Sequence, residues 1–193
     1  MRIIGGIAGG RLLATPKGLT VRPTPDLVRQ AVFNSLGPVL EGATVLDLFS
    51  GTGALGLECL SRGASHVLSV ELSAKHARFI RQNVETLELP RAGHELRVQD
   101  VFVALRQLAA AQARFDFIVA DPPFGPKTGK ERSQSASQAL LDSPEVKALL
   151  AAGGRLILGH ARRDRVEVGP EWRELRVLEH GDSTFRILVG ADR

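Results

Sequence analysis

From residue 43 onward, short apolar runs alternate with longer amphipathic ones. Strand-like runs at 44–49, 66–70, 95–98, 115–120 and 155–158 are separated by helix-like stretches near 53–62, 73–87, 101–112 and 136–150. That alternation predicts βαβ units and a parallel sheet covered on both faces. Two further runs, 172–178 and 184–189, flank His180-Gly181-Asp182-Ser183 and predict a terminal antiparallel pair that finishes the sheet. Ahead of this lies a helix through Val28, Val32 and Leu36, started by Thr24, Pro25 and Asp26 and stopped by Gly37-Pro38. Residues 1–25 read as a small glycine-rich β-hairpin arm, and 26–193 as the main domain.

The stretch around which the rest is organised is the junction of the first strand and the next helix. Val45 to Phe49 breaks into Ser50-Gly51-Thr52-Gly53 and then into helix formers. Gly51 and Gly53 allow a sharp turn close to a ligand, and the amides that open the helix are free donors. Gly51-x-Gly53-x-x-Gly56, with Glu71 placed 20 residues after Gly51, also fits a dinucleotide fingerprint. Asp47, however, would repel a pyrophosphate and tolerates a ligand carrying a sulfonium and an amino group. S-adenosyl-L-methionine therefore fits this corner better than NAD.

Acids recur at the predicted strand ends: Asp47, Glu71, Asp100 and Asp121. Their separations of 24, 29 and 21 residues are each about one βα unit, so the four carboxylates are expected along the C-terminal edge of one sheet. Ser73 is placed to cap the helix after Glu71, which frees Glu71 for ribose hydroxyls. Leu72 stands beside it, and Asp100 with Val101-Phe102 suits an adenine amino group under an apolar cover. Phe49 and Ser50 complete the expected cofactor lining.

The fourth acid opens Asp121-Pro122-Pro123-Phe124. Two prolines in succession remove two donors and fix the chain, leaving an acceptor-rich edge beside an aromatic plate. The Asp121 carboxylate and the Pro122 carbonyl are placed to accept both hydrogens of a planar exocyclic amine, with Phe124 stacked on its ring.

Composition sharpens this picture in a few respects. The 193 residues, 44% of them hydrophobic, suit one domain with a full core. A single cysteine, Cys59, excludes an intrachain disulfide and suits a reducing compartment. There is no signal-peptide pattern and no apolar run long enough to span a membrane, so a cytoplasmic protein is expected. The 5 histidines are scattered, and no metal site is expected. The net charge is +4, and most of the cations are Arg, whose guanidinium forks suit phosphate, so nucleic acid is a candidate partner. Arg2, Arg11, Lys17 and Arg22 occupy the arm without any acid, and Lys127 lies in a polar loop after Phe124. His160-Ala161-Arg162-Arg163-Asp164-Arg165 forms another basic cluster.

Several of these stretches carry a family likeness. Met1-Arg2-Ile3-Ile4-Gly5-Gly6, Arg22-Pro23-Thr24, the helix from Val28 to Leu36, Leu46-Asp47-Leu48-Phe49-Ser50-Gly51-Thr52-Gly53-Ala54-Leu55-Gly56-Leu57-Glu58, Ser61-Arg62-Gly63-Ala64 and Asp121-Pro122-Pro123-Phe124 together resemble the RsmD family of bacterial 16S rRNA guanine-N2 methyltransferases. The likeness runs from the arm to Gly181-Asp182-Ser183-Thr184. It implies an α/β class I S-adenosylmethionine-dependent methyltransferase, Rossmann-like, with a seven-stranded, mostly parallel sheet and an antiparallel last strand. It also implies Asp47, Gly51, Gly53, Glu71 and Asp100 against the cofactor, Arg22-Pro23-Thr24 helping to close the pocket, and the Pro-Pro motif on a guanine. Arg2, Arg11, Arg22, Pro123 and Lys127 are the expected substrate contacts. The partner would be 16S rRNA or an assembling small subunit, met by a monomer. The chain departs from the family pattern at Leu27 and Gln30, where an arginine and an acid are usual, at His160, where a Glu is usual, and in a longer loop after Phe124.

Three other readings remain: methylation of DNA adenine or protein glutamine, a non-catalytic nucleic-acid-binding module, and a nicotinamide-dependent oxidoreductase. Relatives acting on adenine or glutamine more often carry Asn where Asp121 stands, and the strand-end Asp47 disfavours a nicotinamide cofactor.

Overall fold

The computed structural model describes residues 1–16, 26–125 and 132–191. Five parallel strands carry the sheet: β1 (Thr44–Leu48), β2 (His66–Glu71), β3 (His94–Val98), β4 (Phe115–Ala120) and β5 (Leu150–Ala161). The antiparallel hairpin of β6 (Trp172–His180) and β7 (Ser183–Gly190) completes it, in the order β3-β2-β1-β4-β5-β7-β6. The first predicted helix is α1 (Asp26–Leu36), and α2 (Ala54–Ser61), α3 (Ala74–Thr86) and α4 (Val101–Ala110) follow β1, β2 and β3. The fold is the predicted seven-stranded, Rossmann-like arrangement, mostly parallel with β7 antiparallel.

One element differs. A single helix was expected near 136–150, but the chain forms α5 (Ala136–Asp142), breaks at Ser143, and forms α6 (Pro144–Ala148). Pro144 has no amide to donate and disfavours a helical residue before it. Ser143 is accordingly extended, with ψ 117, and precedes α6 with its hydroxyl donating to Glu145 rather than accepting from a helix amide. The fifth strand therefore begins at Leu150 rather than 155.

The pleat divides the core. Val45, Val67, Phe117, Val119, Ile157 and Phe185 join a cluster with α1, α2 and the arm, while Leu46, Leu48, Val70, Ile118, Ala120 and Leu158 face α4, α5 and α6. By the same alternation Asp47 shares the α2 side with Val45. Its register partners are Ser69 and Val119. Glu71 and Asp121 lie two residues beyond those partners, on the same face at the C-terminal rim.

Residues 1–16 reverse on themselves, with an antiparallel bridge between Arg2 and Leu12. Ile3, Ala8 and Leu13 are buried in the α1/α2 cluster. The stretch 17–25, including the arm's expected boundary, lies outside the described residues. Among the described residues no helix is long and apolar enough to cross a membrane.

Candidate active site

The turn after β1 is built tightly. Phe49 takes φ 56, unusual for a residue with a side chain, and Gly53 takes φ 85 before α2 begins. Gly56 allows α2 to pack against β1: a Cβ there would stand 2.6 Å from Asp47 Oδ2 and 3.0 Å from Val67 Cγ1. In place of a Cβ, the Gly56 amide donates to Asp47 Oδ2 at 3.2 Å. The Ser50 hydroxyl lies within hydrogen-bonding distance of the carbonyls of Asp47, 2.8 Å, and Val70, 3.2 Å. Ser50 thus stitches β1 to β2 and offers its hydroxyl inward, rather than to a ligand.

Asp47 is buried instead of projecting from the rim, at 1% exposure. Burial pushes its carboxyl up to about 7; hydrogen bonds from Ser50 and Gly56 oppose the rise, and the charges of Glu71 and Asp121 add to it. The three carboxylates are therefore close enough to feel one another, as the spacing of strand-end acids predicts.

Glu71 ends β2 as a bidentate acceptor, taking the Gly51 amide at 2.7 Å and the Ser73 amide at 2.8 Å. Ser73 caps α3 through the His76 amide, as expected. Each Glu71 oxygen retains acceptor capacity for a hydroxyl. Leu72 stands 68% exposed beside it. Asp100 caps α4, its Oδ1 accepting the Val103 amide at 3.0 Å.

The apolar cover expected from Val101-Phe102 divides in two. Val101 belongs to the core beneath α4, because the first turn of that helix faces the sheet. Phe102 is half-buried and meets Phe49 edge to face, with ring centroids 6.4 Å apart. Phe49, Phe102 and Leu72 are thus the apolar groups at this rim.

Asp121 follows β4 and is half-buried. Its carboxylate lies over the backbone of Gly159 on β5: a Cβ at Gly159 would stand 2.4 Å from Asp121 Oδ1 and 2.9 Å from the Phe185 ring. Pro122 is buried, whereas Pro123 and Phe124 are exposed, Phe124 at 43%. The Pro-Pro-Phe segment therefore offers an exposed ring beside a carboxylate seated on a bare strand.

His160, next to Gly159, is buried. Its Nε2 accepts from Arg186 Nε at 3.0 Å and its Nδ1 donates to the Ala161 carbonyl at 2.9 Å, a pairing that requires the neutral ring. Burial, together with the Arg186 guanidinium, holds this imidazole below its ordinary value. Arg186 also pairs with Glu174.

The arm's cations are held differently from the expectation. Arg11 donates to the Leu87 carbonyl at 2.8 Å and to Glu88 at 2.9 Å, capping the C-terminal end of α3. α3 starts at the rim and its 13 residues span ~20 Å, so Arg11 is anchored a helix length from Glu71. Arg2 pairs with Asp26 at 3.2 Å. Arg22 and Lys127 lie outside the described residues.

Two residues that sequence reasoning passed over tie the arm to this corner. Glu58, fully buried, accepts the amides of Ile4 at 2.6 Å and Gly5 at 2.9 Å, and Arg62 Nε at 2.7 Å. Asn83, also fully buried, accepts the Ala14 amide at 2.7 Å and donates to the Thr52 carbonyl at 3.0 Å, so it links the arm to the cofactor turn. Asn83 shares the inward face of α3 with Ile80 and Val84, and Glu58 lies on α2, where residues 55–61 are all buried. Among the described residues no group of His, Cys, Asp and Glu is placed to hold a metal ion.

The family profile described as conserved hypothetical protein 95 matches residues 1–189. The chain belongs to this family, that of the RsmD methyltransferases. It is 37% identical over 188 residues to ribosomal RNA small subunit methyltransferase D of Haemophilus influenzae, covering 97% of this chain and 92% of that protein. A putative methyltransferase of Escherichia coli, yhhF, superposes with a TM-score of 0.75 at 28% identity, covering 98% of this chain and 97% of that one. The 16S rRNA N2 methyltransferase RsmC of Thermus thermophilus, solved with AdoMet and guanosine, gives a TM-score of 0.68 at 26% identity, over 91% of this chain and 45% of that one. The match over residues 1–189 takes in the arm, the β1 turn and the Pro-Pro motif.

Proposed function

We propose that this protein methylates the exocyclic N2 amine of a guanine in 16S rRNA, using S-adenosylmethionine. The observation that carries the reading is the convergence of Asp47, Glu71 and Asp121 on one face of the sheet rim, with Asp121 opening Asp121-Pro122-Pro123-Phe124. The names of the Haemophilus relative and of the guanosine-bound Thermus neighbour support it.

The donor set fits this cofactor. Three mutually repelling carboxylates, one of them raised to about 7, favour a cationic ligand over an anionic one. Glu71 accepts the ribose hydroxyls, Phe102 and Leu72 cover the adenine, Asp100 takes its amino group, and the turn at Gly51 and Gly53 closes on the remainder. S-adenosylmethionine supplies the electrophilic methyl group when bound.

The chain's own residues prepare the nucleophile. Asp121 and the Pro122 carbonyl accept the two N–H bonds of the amine, turning its lone pair from the ring toward the cofactor. Phe124 stacks on the base, and positioning supplies most of the rate. Asp121 balances the positive charge that develops on nitrogen, and the proton leaves after transfer. A base stacked in RNA cannot reach this rim, so the target lies in a loop or is extruded. Arg22-Pro23-Thr24 is assigned to the closing surface on the family likeness, and Lys127 to the substrate surface on its place in the polar, basic loop after Phe124.

The test is to incubate the protein with 16S rRNA, free and in small subunits, and labelled cofactor, then digest the RNA to nucleosides. Label in N2-methylguanosine is expected; label in methyladenosine alone, or none in either substrate, contradicts the reading.

A further inference from the structure

We propose that the solvent face of α3 is a docking ridge for the sugar-phosphate backbone of the RNA, an inference that takes the proposed RNA substrate as its starting point. Lys75, Arg78 and Arg81 recur at three-residue intervals and are all exposed, while Ala77, Ile80, Asn83 and Val84 turn inward. The one acid within α3, Glu85, is paired with Arg91 at 3.3 Å. Among the described residues none of the three cations makes an ion pair.

Three uncompensated cations in a row on one helix face distinguish the ridge from the basic residues paired elsewhere, although Arg163, Arg173 and Arg176 also make no ion pair among the described residues. Arg132 meets Asp142 and Glu167, Arg162 meets Glu179, and Arg186 meets Glu174. A helix face kept charged for solubility alone would mix its signs. A row of unpaired cations is instead suited to phosphates, whose counterions it displaces.

Position and length agree with this use. Ser73, the cap of α3, is hydrogen-bonded to Glu71, so the ridge begins at the rim. β2 and β4 are separated only by β1, so the strands that end at Glu71 and just before Asp121 lie ~10 Å apart at the rim from which α3 starts. Lys75 to Arg81 covers ~9 Å of helix, the length of about three nucleotides stacked at ~3.4 Å each. A strand laid along α3 is thereby held by its backbone while a neighbouring base is free to enter the rim. Interactions of this kind position RNA without reading its sequence.

The experiment measures binding of a 16S rRNA transcript to the full chain across a potassium chloride series. It compares the wild type, the triple variant Lys75→Gln/Arg78→Gln/Arg81→Gln, Asp121→Ala, and Arg114→Gln, an exposed cation at the opposite sheet edge. The triple variant should bind at least 10-fold more weakly at low salt. The slope of log affinity against log salt should fall by about 2, at ~0.7 for each phosphate that is no longer neutralised. Cofactor affinity and melting temperature should stay at wild-type values, and Arg114→Gln should match the wild type. In transfer assays the triple variant should raise KM for RNA with kcat nearly unchanged.

A triple variant with wild-type affinity and slope overturns the ridge as an RNA surface, even if the ridge then proves to hold an acidic protein. Normal RNA binding with lost kcat overturns it equally. If the wild type binds RNA through the ridge yet places no methyl on guanine, the proposed reaction fails and the ridge stands.

Discussion

The Glu71 carboxylate holds the Gly51 amide at 2.7 Å, joining the end of β2 to the turn after β1. One side chain thus shapes the turn and presents the acceptors assigned to the ribose. Hydrogen bonds to a charged group contribute ~1.5–3 kcal/mol, so Glu71→Ala should weaken S-adenosylmethionine binding by about 10- to 100-fold, read by calorimetry. An unchanged dissociation constant would remove Glu71 from the cofactor site.

Asp47 should couple cofactor binding to pH. Its carboxyl is raised from 3.8 to about 7, so between those values the folded protein keeps a proton that the unfolded chain has released. Stability of the ligand-free protein therefore falls as pH rises through that window and is fully present below it. A cationic ligand nearby favours the ionised form, so binding near pH 7 should release a fraction of a proton, and affinity should rise from pH 6 to pH 8. Calorimetry in buffers of different ionisation enthalpy measures the release, which Asp47→Asn should abolish. Buffer-independent heats in the wild type would contradict the coupling.

Gly56→Ala should be costly for a reason local to α2. The added carbon would stand 2.6 Å from Asp47 Oδ2 and 3.0 Å from Val67, between two packed elements. Overpacking of this kind costs ~1–3 kcal/mol. A lowered melting temperature is expected, together with weaker cofactor binding, because Asp47 must move.

Glu58 anchors the arm. Glu58→Ala would strand the amides of Ile4 and Gly5 and release Arg62, whose guanidinium lies 5.0 Å from the centroid of the Phe33 ring. The destabilisation should be about 2 kcal/mol or more. Hydrogen exchange should then accelerate at residues 3–13 before it does in β1 or β4; uniform exchange across the chain would contradict an anchoring role.

The sheet and its rim of acids were legible because a carboxylate at the end of an apolar strand has few inexpensive places to go. The place of Asp47 near Glu71 and Asp121 was legible, but not its depth. The turn bends at Phe49, with φ 56, so the carboxylate stays one pleat below Glu71 and Asp121. Glu58 and Asn83 were hidden because the arm that buries them is 53 to 69 residues away in sequence. Arg11 looked free for substrate for the same reason: its partners, Leu87 and Glu88, lie at a helix end whose location no local pattern gives. The break at Ser143-Pro144 carried its signal openly, but the apolar rhythm on either side masked it.

Asp121→Ala tests the central claim most directly, in a single-turnover assay of methyl transfer to 16S rRNA run beside calorimetry with S-adenosylmethionine. Cofactor affinity should fall by no more than about tenfold, from the loss of one of three nearby charges, while the transfer rate falls by at least ~100-fold, on the scale of losing a preorganised charge-stabilising group. Wild-type transfer by that variant would contradict the role given to Asp121 and the reaction built on it.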